Sequence, residues 1–236
     1  MKILMLVLAG GEDPIYRKME SLWLMYMNSH PDIDCYLYKG DSAMKEEFRL
    51  DTRTKILYIK IHDSFETVLE KTVRAFNFFE PQFNKYDFIY RTNMSSFVVF
   101  DRYVEYCNSI KERDNFCSAV VGRHLSHPFP SGSGFTITPD LVRRFITDRY
   151  DDSEQMDDVA IGFALTQWGV DIRDAKRIDL LYQGAVMVSN LNDTSFFHFR
   201  LKSESREYDA QIYEYLVKRF YTDSLRVILT QENINS

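Results

Sequence analysis

The sequence predicts an α/β domain, a mostly parallel central sheet flanked by helices. Three observations carry this. Residues 2–8, KILMLVL, form an unbroken apolar run that ends at Gly10-Gly11, the pattern of a strand buried on both faces. Strand-like and helix-like segments then alternate as β-α-β-β-α-β over the first ninety residues, which implies parallel strands with covered faces. No Gly/Ser/Pro-rich linker divides the 236 residues, a length that one large domain accommodates.

Taken in order, the first strand is followed by a helix from Pro14, a residue favoured in a first helical turn. That helix carries Met19, Leu22, Trp23 and Tyr26 at helical spacing and stops before His30-Pro31. Residues 34–38 and 55–61 read as strands. A helix capped by Asp63 or Ser64 runs to about Phe79, with Val68, Thr72, Ala75, Phe76 and Phe79 on one face, and Pro81 ends it. Residues 87–90 form the next strand, leading into a polar turn at 91–96 and a second apolar run at 97–100. A helix at 101–111 and a strand at 116–121 follow. Residues 123–130, rich in His and Pro, read as a long loop of the kind that carries specificity. Beyond a Ser-Gly-Ser-Gly segment come a short strand, a helix at 139–150, a polar segment at 151–155, a helix at 156–168, short strands near 170–172, 185–188 and 196–199, and a last amphipathic helix at 207–221.

Composition removes several function classes. A net charge of −6 argues against non-specific nucleic-acid binding, which needs a basic surface. Cys35, Cys107 and Cys117 are odd in number and lack metal-like spacing, so they read as reduced, buried thiols. The N-terminal apolar run is too short to span a bilayer and lacks the features of a secretory signal, so it reads as the first buried strand, and a cytoplasmic protein is expected. A Rossmann dehydrogenase needs G-x-G-x-x-G after the first strand. Gly10-Gly11 is followed instead by Glu12-Asp13, acids that would repel a pyrophosphate.

Four polar clusters are candidates for chemistry. The first, Arg91 to Ser96, closes a strand at the edge where open α/β sheets bind ligands; Asn and Ser also form ordinary turns. The second, Ser131-Gly132-Ser133-Gly134, allows close backbone approach to a ligand, as would a simple turn. The third, Asp157-Asp158, precedes an apolar helix, where one carboxylate serves as a cap and the other is left to act as a base. The fourth is Phe197-His198-Phe199-Arg200, with Lys202 behind it; a His between aromatics is more often a core residue than a ligand.

The order and spacing of these clusters resemble the family 31 β-1,3-glycosyltransferases and their Fringe-like relatives, enzymes of GT-A fold. The similarity covers residues 55–200. HDSFETVLEKT at 62–72 is similar to the family's D-S-Y-x-N-L-x-x-K-T, and the strand into 91–95 resembles the one entering K-T-D-D-D-V-F-V. PSGSGF at 130–135 resembles C-S-G-G-G-Y, DDVAIG at 157–162 resembles E-D-V-Y-x-G, and His198 falls where a late metal-binding His is expected. The chain departs from the pattern where RTNMS, Arg91 to Ser95, replaces the acidic motif. Trp23 matches the Trp of the family's I-R-x-T-W segment, but Glu20 stands in place of its Arg.

The resemblance implies a single GT-A-like domain, with residues 1–100 as the nucleotide-sugar-binding half and 101–236 as the acceptor-binding and catalytic half. It implies inverting transfer of a sugar from a nucleotide-sugar donor, expected to be a UDP-sugar, to a glycan or other hydroxyl acceptor. Asp158 is the expected general base, with Asp157 beside it. Gly10, Lys71, Arg91, Thr92, Asn93, Ser95, Ser96, His198, Arg200 and Lys202 are expected on the donor side. Ser131, Gly132, Ser133 and Gly134 are expected on the acceptor side. Mn²⁺ or Mg²⁺ is implied by the family, with His198 as a ligand, yet the acidic ligands are missing. Asn and Ser oxygens are weak ligands for a hard cation, so cationic side chains are expected to take over part or all of the metal's work. The alternative is a catalytically inactive module of the same fold that binds a nucleotide or glycan.

Overall fold

The computed structural model describes residues 1–11, 13–124, 127–148, 156–180 and 191–222. Strand β1, Ile3–Leu8, lies near the centre of the main sheet, parallel to β2, Ile33–Gly40, on one side and to β5, Phe88–Asn93, on the other. Beyond β2 lies β4, Ile56–Ile59, also parallel, and then β3, Phe48–Asp51, antiparallel at the edge. Beyond β5 the sheet continues through antiparallel β8, His127–Ile137, and β7, Cys117–His124, to β9, Ile172–Asp174. The order is β3-β4-β2-β1-β5-β8-β7-β9.

The two-residue period of a strand explains why KILMLVL is apolar throughout. Ile3, Met5 and Val7 point into one core, against helix α1, Pro14–Tyr26, helix α3, Phe100–Ser109, and helix α6, Arg206–Phe220. Leu4 and Leu6 point into the other, against α2, Val68–Phe79, α4, Pro139–Thr147, and α5, Asp157–Gln167. The expected apolar stripe of α1 is buried at all four positions, Met19, Leu22, Trp23 and Tyr26. Gly169, at φ 69°, follows the end of α5 and takes the left-handed conformation that glycine tolerates. The three cysteines are free and buried.

A smaller sheet covers one end of this layer. Strand β6, Ser96–Val98, follows β5 after a two-residue corner and pairs antiparallel with β11, His198–Leu201, which in turn pairs parallel with β10, Ile178–Leu180. The whole is one α/β domain, a large and mostly parallel sheet between helices. Among the described residues no helix is long and apolar enough to cross a membrane.

Several local expectations are corrected. Strand β5 does not end at Tyr90 but runs through Arg91, Thr92 and Asn93. It is paired there on one side with Leu6, Val7 and Leu8 and on the other, at Arg91 and Thr92, with Phe135 and Gly134. The polar residues are tolerated because their side chains find buried partners. The His/Pro-rich segment is not a loop. Apart from residues 125–126, which lie outside the described residues, it belongs to the β7–β8 hairpin, and Ser131 to Gly134 lie within β8. Prolines and glycines in a strand mislead a reading based on turn chemistry. Asp63 and Ser64 do not cap α2, which begins after Thr67. A 3₁₀ turn, Glu80–Lys85, continues the chain past Pro81. Strands β3 and β10, of four and three residues, are too short to show a period and were not anticipated. The expected polar segment 151–155 and strand 185–188 lie outside the described residues.

Candidate active site

A cleft of about 500 Å³, inside the roughly 300–1,000 Å³ of small-ligand sites, opens where β1 and β5 end. Leu8 and Asn93, the last residues of those strands, lie on its wall with Ser131, Gly132 and Ser133 of β8, Asp157 and Asp158 of α5, and the arginines Arg91, Arg177 and Arg200. Asp158 and Asn93 thus share one hollow.

Beneath the wall is a buried polar network. The side chains of Arg91 and Asp157 are 2% and 4% exposed and form an ion pair with Nη2 to Oδ2 at 2.6 Å. Thr72 Oγ1 donates to the same Asp157 oxygen at 2.7 Å, and Tyr38 bonds Thr72 at 2.9 Å. Arg91 Nη1 donates to the Gly132 carbonyl, while its Nε is buried with no partner among the described residues. Burial opposes the Arg91 charge, yet Asp157, Tyr38 and Asp158 hold its pKa above the ordinary arginine value. Asp157, expected beside Asp158 in catalysis, therefore has its carboxylate committed to the floor of the site.

Asp158 occupies a different position. Its Oδ1 accepts the Val159 N–H at 2.9 Å and its Oδ2 accepts the Gly132 N–H at 2.8 Å. Burial first, and the Asp157 charge second, push its pKa up, against Arg91 and the two backbone N–H groups. Gly132 is required for this contact, because a Cβ there would lie 2.7 Å from Asp158 Oδ2. The feature that reads as a possible turn glycine is a site where backbone meets carboxylate.

Of the residues expected on the donor side, Arg91, Asn93 and Arg200 line the cleft. Thr92 and Ser96 do not; both hydroxyls donate to the Ser133 carbonyl, at 2.5 and 2.6 Å. Ser95 N–H and Oγ donate to Asn93 Oδ1 at 3.2 and 2.9 Å, so this corner is held by its own side chains. Lys71 is buried in an ion pair with Asp63. Gly10, at φ 152°, lies against that same aspartate, whose Oδ2 would be 2.5 Å from a Cβ. Lys202 is exposed beyond β11 and is not part of the wall. On the acceptor side, Ser131, Gly132 and Ser133 line the cleft, whereas Gly134 packs against Tyr90 and His198.

His198 is buried behind β8, edge-on to Tyr90, with Nε2 unpartnered among the described residues. Burial, then Arg177 and Arg200, hold its pKa well below that of an ordinary histidine, which disfavours its charged form. It is not among the residues of the cleft wall, and among the described residues no group of three or more His, Cys, Asp or Glu can hold a metal ion. Arg91, Arg177 and Arg200 line the same space. Among the described residues this donor set does not fit Mn²⁺ or Mg²⁺.

Arg177 and Phe65 are among the cleft residues that the sequence does not single out. Arg177 forks onto Asp179 with Nε and Nη2, and its Nη1 donates to Ser131 Oγ at 2.8 Å and to Ser133 Oγ. It precedes the three-residue strand β10, too short to be recognised. Phe65, 65% exposed at the mouth of the cleft, lies inside the 62–72 motif, which in sequence reads only as a helix start.

Comparison of the sequence with protein-family models and with curated proteins finds no match. Among solved structures, the chain is similar to a glycosyltransferase involved in the glycosylation of the major capsid of PBCV-1. The TM-score is 0.54 at 9% identity, over 91% of this chain and 99% of that one. A 4-diphosphocytidyl-2C-methyl-D-erythritol synthase (TM-score 0.48, 9% identity, 90% and 98% covered) and an active-site mutant of LgtC (TM-score 0.46, 10% identity, 94% and 96% covered) are more distant. The first of these likenesses shows the fold: a GT-A-like α/β domain.

Proposed function

We propose that the protein is a glycosyltransferase that moves a sugar from a nucleotide-sugar donor, a UDP-sugar being the first to test, to a hydroxyl of a glycan or glycoconjugate, with inversion. A fold alone hosts many functions. The observation that carries the proposal is Asp158, a carboxylate with a raised pKa, fixed by two backbone N–H groups on the wall of a cleft at the carboxyl end of the sheet.

In this reading the acceptor hydroxyl lies against Asp158 and the Ser131–Ser133 wall. Its oxygen attacks the anomeric carbon, and its proton passes to the Asp158 carboxylate. The bond from that carbon to the phosphate oxygen breaks, and the electron pair leaves with the nucleoside diphosphate. Attack from the side opposite the leaving group inverts the centre. General-base assistance of this kind is worth roughly 10²- to 10⁴-fold. Asp157 is a positioning residue, since its ion pair with Arg91 anchors the first turn of α5 and hence Asp158.

Incubation of the protein with a panel of nucleotide sugars and mixed glycan acceptors tests the proposal. Transfer or donor hydrolysis, with an inverted product by NMR, is the expected result. Donor binding with neither would identify the inactive binding module instead, and no binding at all would remove the nucleotide-sugar assignment.

A further inference from the structure

In the proposed transfer the departing diphosphate needs a counter-charge. Two of the four cations expected on the donor side are already committed, Lys71 to Asp63 and Arg91 to Asp157, and Lys202 is exposed outside the cleft wall. Arg200 differs. Its guanidinium lines the cleft, half-buried, with no hydrogen-bond or ion-pair partner among the described residues. Asp179 is the register partner of Arg200 across the β10–β11 ladder, and Arg177 is two residues before Asp179, so the strand period brings both arginines to one face. Arg177 has five N–H donors. Among the described residues, its contacts to Asp179, Ser131 and Ser133 leave a second Nη2 hydrogen without an acceptor. Burial, and next the Arg177 charge, disfavour the Arg200 charge. The fold thus holds two guanidiniums side by side at a cleft, a repulsion that a bound anion relieves and a divalent cation worsens.

We propose that Arg200 and Arg177 form a metal-free clamp for the donor's diphosphate, Arg200 as the direct ligand and Arg177 held beside it by Asp179. This rests on the reading of the cleft as a nucleotide-sugar site. Guanidinium suits the role because its planar fork meets phosphate oxygens in pairs. As the bond to the anomeric carbon breaks, the electron pair collects on the phosphate oxygen, where these two charges stabilise it.

The test is calorimetric titration of the whole chain with UDP and, separately, inorganic pyrophosphate, in EDTA and then in Mn²⁺. Both ligands are expected to bind in EDTA, without tightening in Mn²⁺. Arg200→Gln should weaken both by roughly 10- to 100-fold, Arg200→Lys by less, and adding Arg177→Gln should weaken them further. Circular dichroism establishes that each variant is folded. Binding that appears only with Mn²⁺, an Arg200→Gln protein that binds as the wild type does, or no further loss from Arg177→Gln would overturn the clamp. The two readings fail separately. Mn²⁺-dependent sugar transfer would remove the clamp and leave the transferase, while EDTA-resistant UDP binding without transfer to any acceptor would do the reverse.

Discussion

Replacing Arg91 with Met removes one half of a buried ion pair and keeps most of the side chain's volume. In the variant, Asp157 retains the Thr72 hydroxyl at 2.7 Å and the Asp158 N–H at 2.9 Å but loses the cation at 2.6 Å. Breaking a buried pair from one side costs about 3–5 kcal/mol, because a desolvated charge is left uncompensated. Arg143–Glu80, an ion pair of 2.9 Å with side chains 35% and 40% exposed, is a suitable comparison. Exposed pairs contribute about 0–1 kcal/mol, so Arg143→Met should fall in that range. Urea denaturation measures both through the midpoint at constant m. The double variant Arg91→Met/Asp157→Leu should recover much of the loss, since an apolar pair can replace a buried ion pair. If Arg91→Met lay within about 1 kcal/mol of the wild type, as Arg143→Met should, the Arg91 charge would not be committed to Asp157 and would be available to a ligand.

Three further outcomes follow from the cleft. Turnover should rise with pH as Asp158 ionises, with its acid limb above the ordinary aspartate value of about 3.9, because burial and then Asp157 raise its pKa. By linkage, the stability associated with its protonated form is present at low pH and lost as pH rises through the folded-state pKa; urea titrations of wild type and Asp158→Asn across pH should diverge in that sense. Gly132→Ala would place a Cβ 2.7 Å from Asp158 Oδ2, and an overpacking penalty of about 1–3 kcal/mol should appear in the thermal melt together with lost turnover. Phe65→Ala should leave the melt unchanged, the ring being 65% exposed, but weaken donor binding by about 3- to 10-fold through loss of an aromatic contact, as read by titration.

The architecture was legible because its signals are long. The unbroken run of β1 and the stripe of α1 each span enough residues to reveal a period and a two-sided core. The cleft was legible at Asp158, where two adjacent acids exceed what a helix cap requires, and at Gly132. It was not legible at Arg91, whose partner Asp157 lies far along the chain, so that a lone cation looks free until the fold pairs it. Lys71 looks free in sequence for the same reason, and the fold pairs it with Asp63. Thr92 and Ser96 resemble ligand-binding residues in sequence, but their hydroxyls serve the Ser133 carbonyl. Arg177 is the converse: nothing in its neighbourhood suggests a site, because its place depends on the short strand β10 finding its partner in β11.

The claim that matters most is that the carboxylate at the head of α5 takes a proton from the acceptor. The direct measurement is the rate of nucleoside diphosphate release by folded Asp158→Asn, relative to wild type, with a donor and acceptor that the wild type uses. The account predicts a loss of roughly 10²- to 10⁴-fold. Release at the wild-type rate would contradict it.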